Sequence, residues 1–355
     1  MKISLSLFIF LLLLQAMLFS NDKNNIEKGC GCAVVFMYHR FGETTYPSTN
    51  ITLKQFQDHL NYLEENDYNV WPLSKIVHYI IKGKDLPKKT VALTIDDAYV
   101  SVYTKAYPML KKKKFPYTVF VNTSPIGNKS INYMNWEQMR EISLSGAEFA
   151  NHSLTHDFLL PRKSESQKEW QSRLMNEIEG AQKQLHKELG GNTNENPRLL
   201  SYPFGEYSQQ TADYIRSLGY VGITQTSGVI GVDSDLKMLP RFAMAEAFGN
   251  LDEFILKLNT LPLQIENLST YEPILRDENP TKLLLKLKYP IKKMKCLIAS
   301  GEEIKVKWLS DLEAEIEANR ALEAPRDRYT CTAPAKNGKW YWYSHLWIIK
   351  NNISE

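Results

Sequence analysis

The chain has 355 residues, with 43% hydrophobic and 23% charged side chains, a composition that excludes a disordered or collagen-like protein. That length allows a sizeable core in one large domain with a small one beside it. A formal charge of +3 is too small to point to nucleic acid, so no nucleic-acid partner is expected.

Lys2 precedes an apolar run from Leu5 to Leu14 that continues to Phe19, after which Ser20 leads into the polar stretch Asn21 to Asn25. This is the pattern of a secretory signal over residues 1–20. The run is short of the about 20 residues of a membrane span, so cleavage near Ser20, leaving no transmembrane helix, is expected over the alternative of an uncleaved anchor. The mature chain is expected outside the cytoplasm, whether periplasmic, cell-surface or extracellular. Export permits disulfides. Cys296 and Cys331 are the expected bridge, a staple within a small C-terminal domain, and the pairing of Cys30 and Cys32 stays open.

From Ala33 to about Leu258, short apolar runs alternate with helical patterns. Strands are predicted at Ala33 to Met37, Thr90 to Ile95, Tyr117 to Asn122, Glu148 to Asn151, Leu199 to Tyr202 and Tyr220 to Thr224. Helices are predicted over Leu53 to Asn66, with Thr52 as N-cap, and over Ser74 to Lys82, Trp136 to Ser145, Lys168 to Leu189 and Gln209 to Leu218. Gly146 and Gly190-Gly191 stop two of them. The basic run Lys111 to Lys114 falls at a helix C-terminus, where cations suit the dipole. Such alternation predicts an α/β fold, a deformed parallel (β/α) barrel over residues 29–262.

Near Pro262 the style changes. Leu283 to Tyr289, Ile304 to Leu309 and Trp340 to Lys350 read as strands punctuated by prolines, which predicts a small β-rich, sandwich-like domain over 270–355. The run Trp340-Tyr341-Trp342-Tyr343 with His345 and Trp347 makes that domain a candidate carbohydrate-binding module; alternating aromatics that fill a β core are the competing and slightly favoured explanation.

In an α/β barrel, working residues gather at the C-terminal ends of strands. Three predicted strand ends carry chemistry: Asp96-Asp97, the histidines His152 and His156 four residues apart, and Tyr202-Pro203-Phe204-Gly205. One carboxylate and two imidazoles form a three-ligand site with open positions for water and substrate, and the second carboxylate is then available as a base. Each element alone is weak, since adjacent aspartates also cap helices and paired histidines are often incidental.

Taken in order, Thr94-Ile95-Asp96-Asp97, Asn151-His152-Ser153-Leu154-Thr155-His156 and Tyr202-Pro203-Phe204-Gly205-Glu206-Tyr207 resemble the polysaccharide deacetylase family, carbohydrate esterase family 4, over roughly residues 33 to 258. The resemblance implies that Asp96 is the general base, that Asp97, His152 and His156 hold a divalent metal, and that the Phe204 N–H is an oxyanion donor. The opening run Val34 to Phe41 is similar to deacetylases of poly-β-1,6-N-acetylglucosamine with the histidine motif at the front, which makes His39 the general acid. Arg241 resembles the arginine that orients the base. Zinc is preferred on ligand type, with cobalt, nickel and iron as alternatives.

The implied activity is removal of N-acetyl groups from N-acetylhexosamine units, with a polysaccharide containing N-acetylglucosamine as the partner and cell-surface or matrix association in view. O-acetyl ester or other non-peptide carbon–nitrogen hydrolysis, and catalytically weak carbohydrate binding, are the competing functions. Three positions depart from the family pattern: Ala98 replaces a glycine, Asp157 a proline and Ser201 an arginine. His59, His78 and His186 read as ordinary helix residues, and Trp136 as a packing residue.

Overall fold

The computed structural model describes residues 31–127, 131–190, 193, 196–275 and 278–349. The signal segment at 1–20, Cys30 and Gly191 lie outside the described residues. Six strands, β1 (Ala33–Tyr38), β2 (Thr90–Asp96), β3 (Tyr117–Val121), β4 (Ala147–Asn151), β5 (Arg198–Ser201) and β6 (Tyr220–Ile223), each pair in parallel with the next. Every residue of β1, β2 and β3 is buried, as expected where helices cover a parallel sheet.

Helices α1 (Leu53–Glu65), α2 (Leu73–Ile81), α3 (Tyr107–Lys113), α4 (Trp136–Ser143), α5 (Gln167–Leu189) and α6 (Gln209–Ser217) connect them. Thr52, Asn135 and Ser166 each cap a helix with a reciprocal bond to the third residue inside. On α1 the apolar spacing buries Phe56, Leu60 and Leu63. The lysine run ends α3, with Lys114 left-handed at φ 55° as its C-cap. A π-helical turn, Val102–Ala106, precedes α3 and was not predicted from the periodicity.

Barrel closure depends on a segment that sequence periodicity did not identify. Leu239 bridges in parallel to Ile223 of β6, and immediately after Arg241 the short strand Phe242–Ala243 pairs in parallel with Phe36 and Met37 of β1. Leu239 to Ala243 therefore spans the gap between the last and first strands. Another short strand, Val229–Ile230, runs antiparallel to the start of β1. Helix α7 (Leu251–Leu258) follows and places Phe254 in the core, stacked on Phe36 at 4.4 Å.

The second sheet is also nine-stranded and curls on itself around its own core. The two longest strands, Arg326–Pro334 and Trp340–Ile349, pair antiparallel, and Cys296–Leu297 lie across from Cys331–Thr330. The Cys296–Cys331 disulfide joins directly opposed residues and closes a loop of 35 residues, a staple of a few kcal/mol in a small core. The aromatic run packs on both faces. Tyr341, Tyr343 and Trp347 turn to the second core, while Trp342 meets Phe242 of the barrel edge-on at 5.2 Å. Thr260–Pro262 pairs with Trp340–Trp342, so the chain enters this sheet directly from α7.

His78 and His186 are exposed on their helices, but His59 is fully buried. Its Nε2 lies 2.8 Å from the Gly249 carbonyl, its Nδ1 lies 3.0 Å from the Tyr38 hydroxyl, and its ring stacks on Phe254. Burial, only partly opposed by the Gly249 carbonyl, lowers its pKa to about 4. His345 in the second sheet is likewise buried and lowered to about 4, burial again outweighing the Glu272 backbone. Both rings stay neutral in the folded protein at pH values where an unfolded histidine, with pKa near 6.5, is charged. Stability is thus complete above about pH 6.5 and is lost as pH falls towards 4. Between pH 7 and pH 5 these two rings are expected to contribute roughly 3–4 kcal/mol to the difference between urea titrations, with about one proton taken up by each on unfolding. A flat profile would contradict the neutral burial of these rings.

Candidate metal centre and active site

The C-terminal ends of β2, β4 and β5 open onto one cleft of about 660 Å³. Asp97 leaves β2 at φ 71°, followed by Ala98 at φ 55°; in the loop after β4, Ser153 and His156 are also left-handed, and so is Phe204 after β5. These five are half of the ten non-glycine residues with positive φ among those described, so backbone strain is concentrated where ligands must be aimed. For Ala98 the left-handed conformation costs about 1 kcal/mol relative to glycine. Burying its methyl offsets about 0.8 kcal/mol, so this departure from the family's glycine is nearly neutral for stability.

One ligand atom from each of Asp97, His152 and His156 lies within 4.8 Å of the others. Asp97 Oδ1 stands 3.5 Å from the Nε2 atoms of both histidines, too far for good hydrogen bonds. Ligands about 2.1 Å from a shared tetrahedral centre stand about 3.4 Å apart, which matches this spacing. His152 Nδ1 lies 2.8 Å from the Ser201 carbonyl, so it carries the proton and leaves the Nε2 lone pair facing inward. That Nε2 is fully buried and has no hydrogen-bond partner among the described residues. An orphaned acceptor at this depth fits a cation. Burial, reinforced by His152, lowers His156 to about 4, against the pull of Asp97 and Asp96, so it too is neutral and ligand-ready.

Asp96 is fully buried and gripped from one side. Arg241 Nη1 donates to its Oδ1 at 2.7 Å and Nη2 to its Oδ2 at 2.8 Å, a bidentate fork. The guanidinium itself is fixed by Thr224 O, Thr94 Oγ1 and Ser201 Oγ at 2.9–3.0 Å. Ser201, at the position where many family members have an arginine, also donates to Asp96 Oδ2 at 3.3 Å. Burial pushes the Asp96 carboxyl up, but the charge and hydrogen bonds of Arg241 outweigh it and hold it well below the usual carboxylate range. Asp157, at the family's proline position, turns outward to Arg162.

His39 follows β1 and lines the same cleft as Asp97 and His156. Burial lowers its pKa, while the charges of Asp96 and Asp97 favour its protonated form. Phe204 sits in the turn Pro203–Gly205, with its ring between His156 at 4.5 Å and Phe158 at 4.4 Å. The next two N–H groups bond to the Tyr202 and Pro203 carbonyls, whereas the Phe204 N–H meets no acceptor among the described residues.

Several contributors carry no motif. Buried Glu177 of α5 accepts from both the N–H and the hydroxyl of Thr155 at 2.9 Å, anchoring the histidine loop. Asn151 bonds to the Ile178 carbonyl and accepts from Ser153 N. Tyr99 and Tyr133 stack at 5.2 Å on the cleft wall, with the Arg40 guanidinium 3.4 Å from the Tyr99 ring centre. Tyr99 lies two residues past Asp97, so position was the one available signal.

Residues 83–223, which include β2 to β6, match the family described as polysaccharide deacetylase. The poly-beta-1,6-N-acetyl-D-glucosamine N-deacetylase of Staphylococcus aureus is 24% identical over 223 residues, covering 61% of this chain and 75% of that protein. Among solved structures, IcaB from Ammonifex degensii is 25% identical with a TM-score of 0.52, over 61% of this chain and 94% of its own. The Streptococcus pyogenes deacetylase PplD, in complex with acetate, shares the fold at a TM-score of 0.56 and 23% identity, over 64% and 98%. The match to the polysaccharide deacetylase family thus lies over the very strands that deliver Asp96, Asp97, His152 and His156.

Proposed function

We propose that this chain is a polysaccharide deacetylase, an exported, metal-dependent N-deacetylase that removes acetyl groups from N-acetylhexosamine units of a polymer. The observation that carries the reading is the buried, unpartnered His152 Nε2, 3.5 Å from Asp97 and beside a clamped second carboxylate. Asp97, His152 and His156 would hold the divalent cation, and two imidazoles with one carboxylate favour zinc. Bound there, the cation supplies Lewis-acid activation of water and of the acetamide carbonyl.

The remaining chemistry belongs to the chain. Asp96, kept ionised by Arg241, accepts the proton of the attacking water. The unpaired Phe204 N–H holds the oxygen on which negative charge develops. His39 donates a proton to the leaving amine; it must be charged when it does so, and Asp96 and Asp97 are the groups that favour that charge. The N-terminal signal pattern supports export, and the Staphylococcus aureus relative, named for a β-1,6-linked glucosamine polymer, supports the substrate class.

The test is acetate and free-amine release from defined β-1,6-linked N-acetylglucosamine oligomers. Release is expected with zinc, with loss after chelation and recovery on adding metal back. Release from acetyl-xylan alone would move the reading to ester hydrolysis, and chelator-insensitive release would remove the metal.

A further inference from the structure

One cationic side chain reaches the cleft from outside the barrel. Arg326 opens the long strand Arg326–Pro334 of the second sheet, yet it lines the cavity shared by His39, Asp97 and His156. Its Nη1 donates to the Phe204 carbonyl, and its Nε lies 3.4 Å from Glu206 Oε1. Both contacts fall on the turn that aims the Phe204 N–H.

That turn needs support from outside. Phe204 and Gly205 are consecutive left-handed residues, at φ 58° and 71°, and a Cβ on Gly205 would stand 2.7 Å from the Cβ of Gln225. Inside the turn, Gly205 N bonds to the Tyr202 carbonyl at 2.9 Å and Glu206 N to the Pro203 carbonyl at 3.2 Å. These bonds leave the Phe204 carbonyl to Arg326, which thereby fixes the peptide that follows this cleft-lining residue. Glu206 is only 5% exposed and supplies the counter-charge that holds the guanidinium in place. The guanidinium meets the carbonyl and the carboxylate from separate N–H groups held in one plane, whereas a lysine would have to meet both from a single nitrogen.

We propose that Arg326 is a positioning residue of the deacetylase site, supplied by the second sheet to hold Phe204 in the left-handed conformation from which its N–H serves as an oxyanion donor. On this view the barrel alone is an incomplete enzyme. Arg326 also places positive charge beside the region where the oxyanion forms, where a fixed charge favours the transition state over the ground state. The inference rests on the N-deacetylase reading above.

The experiment uses the full mature chain loaded with zinc, defined N-acetylglucosamine oligomers, and the variants R326A, R326K and R326A/E206Q. R326A is expected to lower kcat about 10- to 100-fold while KM stays within about threefold, because the lost interaction acts in the transition state. Zinc content should stay at the wild-type value, and any fall in thermal midpoint from stranding Glu206 should be recovered in R326A/E206Q. R326K should fall between the two, and millimolar guanidinium should restore part of the R326A rate. The double variant removes the charge that R326A leaves buried; a persistent loss there assigns the effect to the Phe204 contact. A kcat for R326A within about twofold of wild type, or full recovery in R326A/E206Q, would overturn the inference while leaving the activity intact. A wild-type chain that releases no acetate from any oligomer overturns the activity itself, and this inference with it.

Discussion

An Asp96→Asn chain is expected to keep its zinc and to release acetate roughly 10³-fold more slowly, the usual scale for losing a general base. The amide keeps the shape of the carboxylate and can still accept one bond from Arg241, so the surrounding packing has little reason to move. It cannot accept a proton. Metal content should be spared because Asp96 Oδ2 stands 3.9 Å from His152 Nε2, farther than Asp97, and its lone pairs are committed to Arg241 and Ser201. Acetate release and metal analysis on the same preparation check both halves. Turnover within tenfold of wild type would remove Asp96 as the base, and loss of zinc would recast it as a ligand.

Arg241→Met should cost stability as well as activity. The substitution strands a fully buried carboxylate and strips donors from Ser201 Oγ, Thr94 Oγ1 and Thr224 O. Breaking a buried pair from one side costs about 3–5 kcal/mol, a fall of roughly 10 °C in the thermal midpoint. The companion variant Arg241→Met with Asp96→Asn is the discriminating measurement. Removing both charges should return most of the midpoint and none of the turnover. If the single variant melts at the wild-type temperature, the fork is not holding a buried charge and the account of Asp96 as a base ionised in the resting site fails.

Most of the barrel was legible because its strands are continuous buried runs and its helices carry capping signals. Val34, Phe36 and Tyr38 sit in one core, Thr52 caps where predicted, and the strand ends bring Asp97, His152 and His156 close together. What escaped notice is two or three residues long or depends on distant partners. Phe242–Ala243 and Val229–Ile230 are too short for any period to register, yet they pair on β1. His59 reads as one more polar helix position until Gly249, 190 residues on, supplies its carbonyl. Glu177 looks like any glutamate of a long amphipathic helix, and only the loop folded over it shows what it anchors. The aromatic run at Trp340 was ambiguous because alternation states that two faces exist without stating what covers the second. Trp342 resting on Phe242 supplies that missing fact.

The stretch from Leu239 to Ala243 zips the ring of strands shut and, between its two pairings, carries the guanidinium that orders Asp96. Local opening of that seam would therefore disarm the proposed base at the same instant that it unseals the cylinder. Amide hydrogen exchange at Leu239 and Arg241, whose N–H groups bond to Gly222 and Thr226 carbonyls, reports on catalytic competence as directly as on local unfolding. A circular permutation cut here would forfeit both, whereas new termini on an outer helical turn would spare them.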